Sequence, residues 1–197
     1  LYLWGSSDRG RLGIGNVGSN IFFRPQCVKY LSKFEIVDFA CGRNHTVAVT
    51  DKTEVFSWGD GEMVPLGYGN KKGKIEWIPR EICSLIGAEV VKVSVGEKHT
   101  VLLTRSGRVL CFGSGKYGRC GAGEGLDFDI LKPRVVDSLL GRRIIHIAAG
   151  RDFTWVVDSQ NNYLSFGHGY YGCLGGEKNA DRHIAELVEV QDWIQYA

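Results

Sequence analysis

Proline is scarce in this chain, 4 residues against 27 glycines, so its many turns rest on glycine's conformational freedom rather than on locked φ angles. No stretch repeats its apolar residues at the 3.6-residue spacing of an amphipathic helix, which excludes a helical bundle. No apolar run reaches the length that crosses a membrane as a helix, and we expect no signal peptide. The chain starts at Leu1, inside an apolar segment and without an initiator Met, so we expect the natural N-terminus to lie upstream. Neither sign of charge dominates, with 24 basic and 22 acidic side chains and a formal net charge of +2. That balance argues against nucleic acid and against a membrane surface as partners. Six cysteines, Cys27, Cys41, Cys83, Cys111, Cys120 and Cys173, include no CxxC pair, so a zinc ribbon has no support. Most of them stand among Val, Ile and Phe, as small buried hydrophobes do, and point to a reducing, intracellular compartment.

What the chain has in abundance is glycine in register. The stretch FGSGKYGRCGAG, residues 112–123, contains a GxGxxG string after a strand-like segment. A dinucleotide cradle needs a helix N-terminus behind such a string. Here another Gly-rich turn follows, and Gly167 to Gly172 repeat the string 54 residues later. The glycines are therefore read as suppliers of positive φ and close backbone approach, not as a nucleotide site.

The spacing of 54 residues runs through the chain. Trp4-Gly5, Trp58-Gly59, Phe112-Gly113 and Phe166-Gly167 keep it, as do Leu12-Gly13, Leu66-Gly67, Cys120-Gly121 and Leu174-Gly175. So do Pro25, Pro79 and Pro133, and so do Gly42, Gly96 and Gly150, each followed three residues on by His45-Thr46, His99-Thr100 or Phe153-Thr154. The sequon Asn44-His45-Thr46 belongs to this column and is not read as a glycosylation site. Within a unit, Val37/Val91/Ile145 and Phe39/Val93/Ile147 are apolar while Asp38/Lys92/His146 are polar, a period of two that marks a first strand. A nearly continuous apolar run from Thr46, Thr100 or Thr154 reads as a second strand covered on both faces. A turn and a third strand ending in the aromatic-Gly pair follow. After a longer loop, a fourth strand opens on proline and carries charge, as suits an outer edge. Repeated units of four short antiparallel strands define the fold class: all-β, a β-propeller of four-stranded blades. We divide the chain into a half blade at 1–30, full blades at 34–84, 88–138 and 142–190, and a possible start of the next blade at 193–197.

The segments CGRNHTVAV…VFSWG, VGEKHTVLL…VLCFG and AGRDFTWVV…YLSFG, with YLWGSSDRGRLGIG before them, resemble the regulator of chromosome condensation repeat over essentially the whole chain. The resemblance implies a ring of seven blades whose inner strands end at the Gly42, Gly96 and Gly150 column. Seven such units need about 380 residues. The chain then makes about half a ring, and the remaining blades come from the parent chain or a second chain. One bare blade face would cost on the order of 10 kcal/mol, for about 400 Å² of apolar area without a partner.

His45 and His99 are expected to be structural, packed at a turn and hydrogen-bonded to backbone; with His146, His168 and His183 they show no ligand spacing. No metal, cofactor or catalytic set is expected. The basic run Lys71-Lys72-Gly73-Lys74 reads as a solvated loop. Function is placed on the loop face, where the first-to-second and third-to-fourth connections meet. There we expect Arg43, Asn44, Glu97, Lys98, Arg151 and Asp152 to bind a partner protein, near Asp60, Glu62, Lys116 and Tyr117. The expected function is a non-catalytic interaction scaffold. The alternative that the resemblance implies is guanine-nucleotide exchange on a Ran-like small GTPase, in which acidic residues just before the repeat His act with an inserted β-wedge. Asp152 holds such a position, Asn44 and Lys98 hold the others, and the uniform spacing leaves no room for a wedge in these blades. The family also holds a plant ultraviolet-B photoreceptor with Trp after the repeat glycine. Arg43, Glu97 and Arg151 stand there, which disfavours light sensing.

Overall fold

A computed structural model describes residues 1–69, 73–123, 125, 127–176 and 179–189. Strands β1 (Tyr2–Ser6) and β2 (Ile21–Cys27) form a two-stranded antiparallel sheet. Strands β3 (Ile36–Cys41), β4 (His45–Thr50), β5 (Val55–Asp60) and β6 (Ile75–Glu81) form a four-stranded sheet in chain order. The same order recurs in β7 (Val90–Val95), β8 (His99–Thr104), β9 (Val109–Ser114) and β10 (Asp129–Val135). It recurs again in β11 (Ile144–Ala149), β12 (Phe153–Asp158), β13 (Tyr163–Gly167) and β14 (Arg182–Leu187). All pairings are antiparallel meanders, and the only helical turns among the described residues are three-residue 3-10 turns. The segment 193–197 and Lys71-Lys72 lie outside the described residues.

Blades are joined face to face by a repeated fit. The third-strand aromatic of one blade sits on the Leu-Gly turn of the blade before it. A methyl group on Gly13 would lie 2.7 Å from Trp58 Nε1, so only glycine leaves room for the ring. The Trp58 indole donates to the Arg11 carbonyl at 3.1 Å, and the Thr46 hydroxyl donates to the same oxygen at 2.9 Å. Trp58, Phe112 and Phe166 are completely buried, whereas Trp4, in the same column, is 62 % exposed. Val37 and Phe39 are exposed too, and β3 turns its polar Asp38 toward the next blade, where the carboxylate accepts from the Val93 amide at 2.8 Å. The period of two is therefore present in β3, but the neighbouring blade decides which face is covered. At the other end Trp155, in the column of Val47 and Val101, lies over Gly175 and donates to the Cys173 carbonyl at 2.8 Å. It caps within its own blade the carbonyl that Trp58 caps between blades.

Two expectations are revised. The prolines do not open the fourth strands: β6 begins four residues before Pro79, and the ladder slips between the Glu76 and Arg80 pairings. Proline has no N–H to donate, so it sits inside the irregularity where no ladder bond is needed. Nor are most cysteines buried: Cys111 and Cys120 are, Cys41 and Cys83 are exposed, and all six are free thiols. Cys111 takes the column of Ser57 and Ser165, whose hydroxyls donate to the Leu66 and Leu174 carbonyls. Burial first, then the neighbouring Cys120 thiol, pushes the Cys111 thiol well above its ordinary pKa, so it packs as an inert apolar group.

Candidate partner-binding face

The β3–β4, β7–β8 and β11–β12 turns carry the six expected residues, and backbone bonds tie these turns to the third-to-fourth loops. The carbonyls of Asn44, Lys98 and Asp152 accept from the amides of Asp60, Ser114 and His168 at 2.8, 2.7 and 2.9 Å. Both loop types therefore share one end of the blades. Asn44 and Lys98 are half-buried there, and these bonds hold their backbone in place. Gly113, at φ +118° and pressed against the Lys98 carbonyl, shows what the glycine strings do: they permit this approach. No α-helix follows either string, so the pyrophosphate cradle is absent from the described residues.

Charges on this face pair across blades. Glu97 accepts from Arg43 Nη1 at 2.8 Å and from Arg151 Nε at 2.7 Å, one guanidinium from each neighbouring blade. Burial alone would lift the Glu97 carboxyl, but the hydrogen bonds from Arg43 and Arg151 outweigh it and hold the pKa below its ordinary value. Arg151 also lies 3.3 Å from Asp152, whose other oxygen is 2.7 Å from the nearly buried Arg119. The result is a ladder, Arg43–Glu97–Arg151–Asp152–Arg119, running over three blades. Glu97 is 13 % exposed in its side chain, while Arg43 and Arg151 stand out at 67 % and 76 %. The carboxylates are thus spent inside the ladder, and the arginines present it to solvent. Asp60 is fully buried, accepts from the Glu62 and Met63 amides at 3.2 Å each, and lies 3.3 Å from Arg9, so it shapes its own loop.

His45 and His99 lie beneath the face, fully buried. Their side-chain partners are the next blade's threonines: His45 Nε2 meets Thr100 Oγ1 at 2.9 Å, and His99 Nε2 meets Thr154 Oγ1 at 3.0 Å. The Thr154 hydroxyl gives its single proton to the Arg119 carbonyl at 3.0 Å, so His99 must be the donor at Nε2. Burial lowers the pKa of His45 to about 4. Burial first, with help from the nearby Arg119 charge, lowers that of His99 to about 3. Both are neutral inter-blade clamps. Among the described residues no three His, Cys, Asp or Glu side chains gather as a metal-binding set, and no helix is long and apolar enough to cross a membrane.

Four-stranded blades stacked by aromatic-on-glycine contacts define a β-propeller, whose short and long loops converge on one charged face. The chain belongs to the Regulator of chromosome condensation (RCC1) repeat family, whose repeat it matches over residues 1–49, 53–103 and 106–157. It is 36 % identical over 191 residues to the human E3 ubiquitin-protein ligase HERC2, covering 96 % of this chain and 4 % of that protein. It is 34 % identical over 189 residues to the Ultraviolet-B receptor UVR8 of Arabidopsis thaliana, covering 96 % of this chain and 42 % of the receptor. Among solved structures, Prp20p of Saccharomyces cerevisiae, described with its binding properties to Gsp1p and histones, superposes with a TM-score of 0.77 at 23 % identity. That match covers 96 % of this chain and 47 % of Prp20p, so the chain spans about half of such a propeller.

Proposed function

We propose that this propeller is a non-catalytic scaffold that docks a partner protein on the face carrying Arg43, Asn44, Glu97, Lys98, Arg151 and Asp152. One observation carries the reading: two exposed arginines from different blades are held in fixed positions by one shared, nearly buried carboxylate. A side chain fixed before binding loses less entropy when a partner arrives, and arginine is enriched where interfaces gain their energy. The ligase chemistry of HERC2 is not carried over, because the likeness spans 4 % of that protein. The test is affinity capture with the intact protein bearing Arg43→Glu and Arg151→Glu. Loss of a partner that the wild-type protein retains supports the reading, and unchanged capture overturns it.

The second reading is nucleotide exchange on a Ran-like GTPase, favoured by the fold shared with a protein described for its binding to Gsp1p. Asp152 would have to leave both Arg119 and Arg151 to reach a nucleotide or its magnesium, which weakens this reading. Release of a fluorescent guanine nucleotide from such a GTPase measures it. Acceleration by the intact protein would establish exchange; no acceleration at micromolar protein retires it.

A further inference from the structure

Two equivalent clefts recur 54 residues apart at the end of the blades opposite the ladder. In the blade of β3–β6 the cleft lies between the β4–β5 turn and the link after β6. In the blade of β7–β10 it lies between the β8–β9 turn and the link after β10. The same backbone bond closes each: Ile82 N donates to the Val55 carbonyl at 2.8 Å, and Val136 N to the Val109 carbonyl at 3.0 Å. Their charges are opposite. The first is lined by Glu54 and Glu81, with Lys52 at the turn. The second, of about 260 Å³, is lined by Arg108, Arg142 and Arg143, all exposed. Arg108 stands in the column of Glu54, Arg142 in that of Ala88 and Arg143 in that of Glu89. The packing of a blade therefore asks for no arginine at these positions.

The arginine cleft is also shaped for its side chains. Thr53 and Asn161 hold the left-handed position of the β4–β5 and β12–β13 turns, at φ +65° and +61°. In the β8–β9 turn that position is Gly107, at φ +84°. A methyl group on Gly107 would lie 2.7 Å from Arg143 Cγ, so the bare glycine leaves the room that the Arg143 stem fills.

The charge count selects the ligand. Asp158 accepts from Arg142 Nη1 at 2.8 Å and balances that guanidinium. Arg105 pairs with Glu89 at 3.8 Å, and Arg134 with Asp137 at 3.1 Å. Arg108 and Arg143 have no carboxylate partner among the described residues. Of the acids outside those residues, Glu124 and Glu177 fall in the third-to-fourth loops and Asp192 after β14, none of them in this turn or link. Two unbalanced positive charges remain. A phosphate monoester carries about −2 near neutral pH, whereas a carboxylate would balance one of them. Guanidinium forks match phosphate oxygens in pairs. The same cleft has an apolar wall, with Leu139 buried and Leu140 exposed.

We propose that this cleft binds a small phosphate monoester, its phosphate held by Arg108, Arg142 and Arg143 and its organic group laid along Leu139 and Leu140. The site lies at the opposite end of the blades from the partner-binding face and goes beyond the docking reading.

The experiment is isothermal titration calorimetry of the intact protein with phenyl phosphate, and with benzoate as the singly charged counterpart. Phenyl phosphate is expected to bind at one saturable site, to weaken as salt rises, and to bind about tenfold or more tighter than benzoate. Arg108→Glu copies Glu54 of the sister cleft, and Arg143→Gln removes the second unbalanced charge. Each is expected to lower the affinity about tenfold or more. The thermal midpoint of the free protein is expected to stay level, because the sister cleft folds without either arginine. Arg108→Lys keeps the charge without the fork and is expected to fall between wild type and Arg108→Glu. Arg43→Glu with Arg151→Glu is expected to leave phenyl phosphate binding intact, which separates this site from the ladder face. No saturable binding at millimolar phenyl phosphate, benzoate bound as tightly, wild-type affinity in Arg108→Glu and Arg143→Gln, or a loss caused by the Arg43 and Arg151 reversals overturns the inference.

Discussion

At the scale of single residues, the buried histidines make the sharpest demand. Each is neutral in the fold and has an ordinary value near 6.5 when unfolded, so the folded state binds fewer protons as acid is added. Their contribution is complete above about pH 6.5 and is lost as pH falls toward about 4 for His45 and about 3 for His99. Denaturant midpoints of the intact protein are therefore expected to fall on acidification, by about 2 kcal/mol per histidine at about pH 5. The double variant His45→Phe, His99→Phe copies the natural Phe153 of the third column and should flatten that dependence; an unchanged pH profile would contradict the clamp. Arg119 is the other residue with a large expected effect. Removing it leaves Asp152 half-buried without its strongest partner, and Arg119→Ala is expected to cost about 3 kcal/mol in chemical denaturation. Arg43 is mostly exposed, so Arg43→Glu should cost less than about 1 kcal/mol while still abolishing capture. A small stability change is what makes it a clean probe of binding.

At the scale of elements, the aromatic-on-glycine seat joins blade to blade. Trp58→Ala removes a fully buried ring and its bond to the Arg11 carbonyl, and is expected to destabilise by about 3–5 kcal/mol in thermal or chemical melts. A loss below about 1 kcal/mol would mean that the seat contributes little. Much of this level was legible in the sequence. The 54-residue register marked strand after strand because every blade solves the same packing problem with the same columns. The aromatic-Gly column recurs at Trp58, Phe112 and Phe166, and all three rings are buried core, while Trp4 of the same column is exposed. What stayed hidden crosses blades or lives in loops. Spacing gives the position of His99 but not that its imidazole reaches Thr154, and it gives Arg119 no mark as the partner of Asp152. The Asp60 carboxylate, expected on the surface, is buried because its own loop folds over it. Tyr117 was expected on the face, but its left-handed backbone, shared with Arg9 and Tyr171 at equivalent repeat positions, and its stack on His168 follow from loop geometry that strand periodicity does not encode.

At the scale of the whole molecule, the two ends of the blades differ in how they are joined. The second-to-third turns and the links between blades sit opposite the ladder, tied by backbone bonds such as Arg105 N to Glu89 O at 2.9 Å. The ladder end joins three blades through charge, and its arginines point outward from a rigid base. Reversing Arg105, an exposed cation on the far end, should therefore leave capture intact and serve as the internal control. The most direct measurement is hydrogen–deuterium exchange of the intact protein with and without its captured partner. Protection is expected over residues 42–44, 96–98, 150–152 and 168–172, with no change over the turns at 51–53, 105–107 and 159–161. Protection confined to those far turns, or no protection on the ladder face at saturating partner, would contradict a docking surface there.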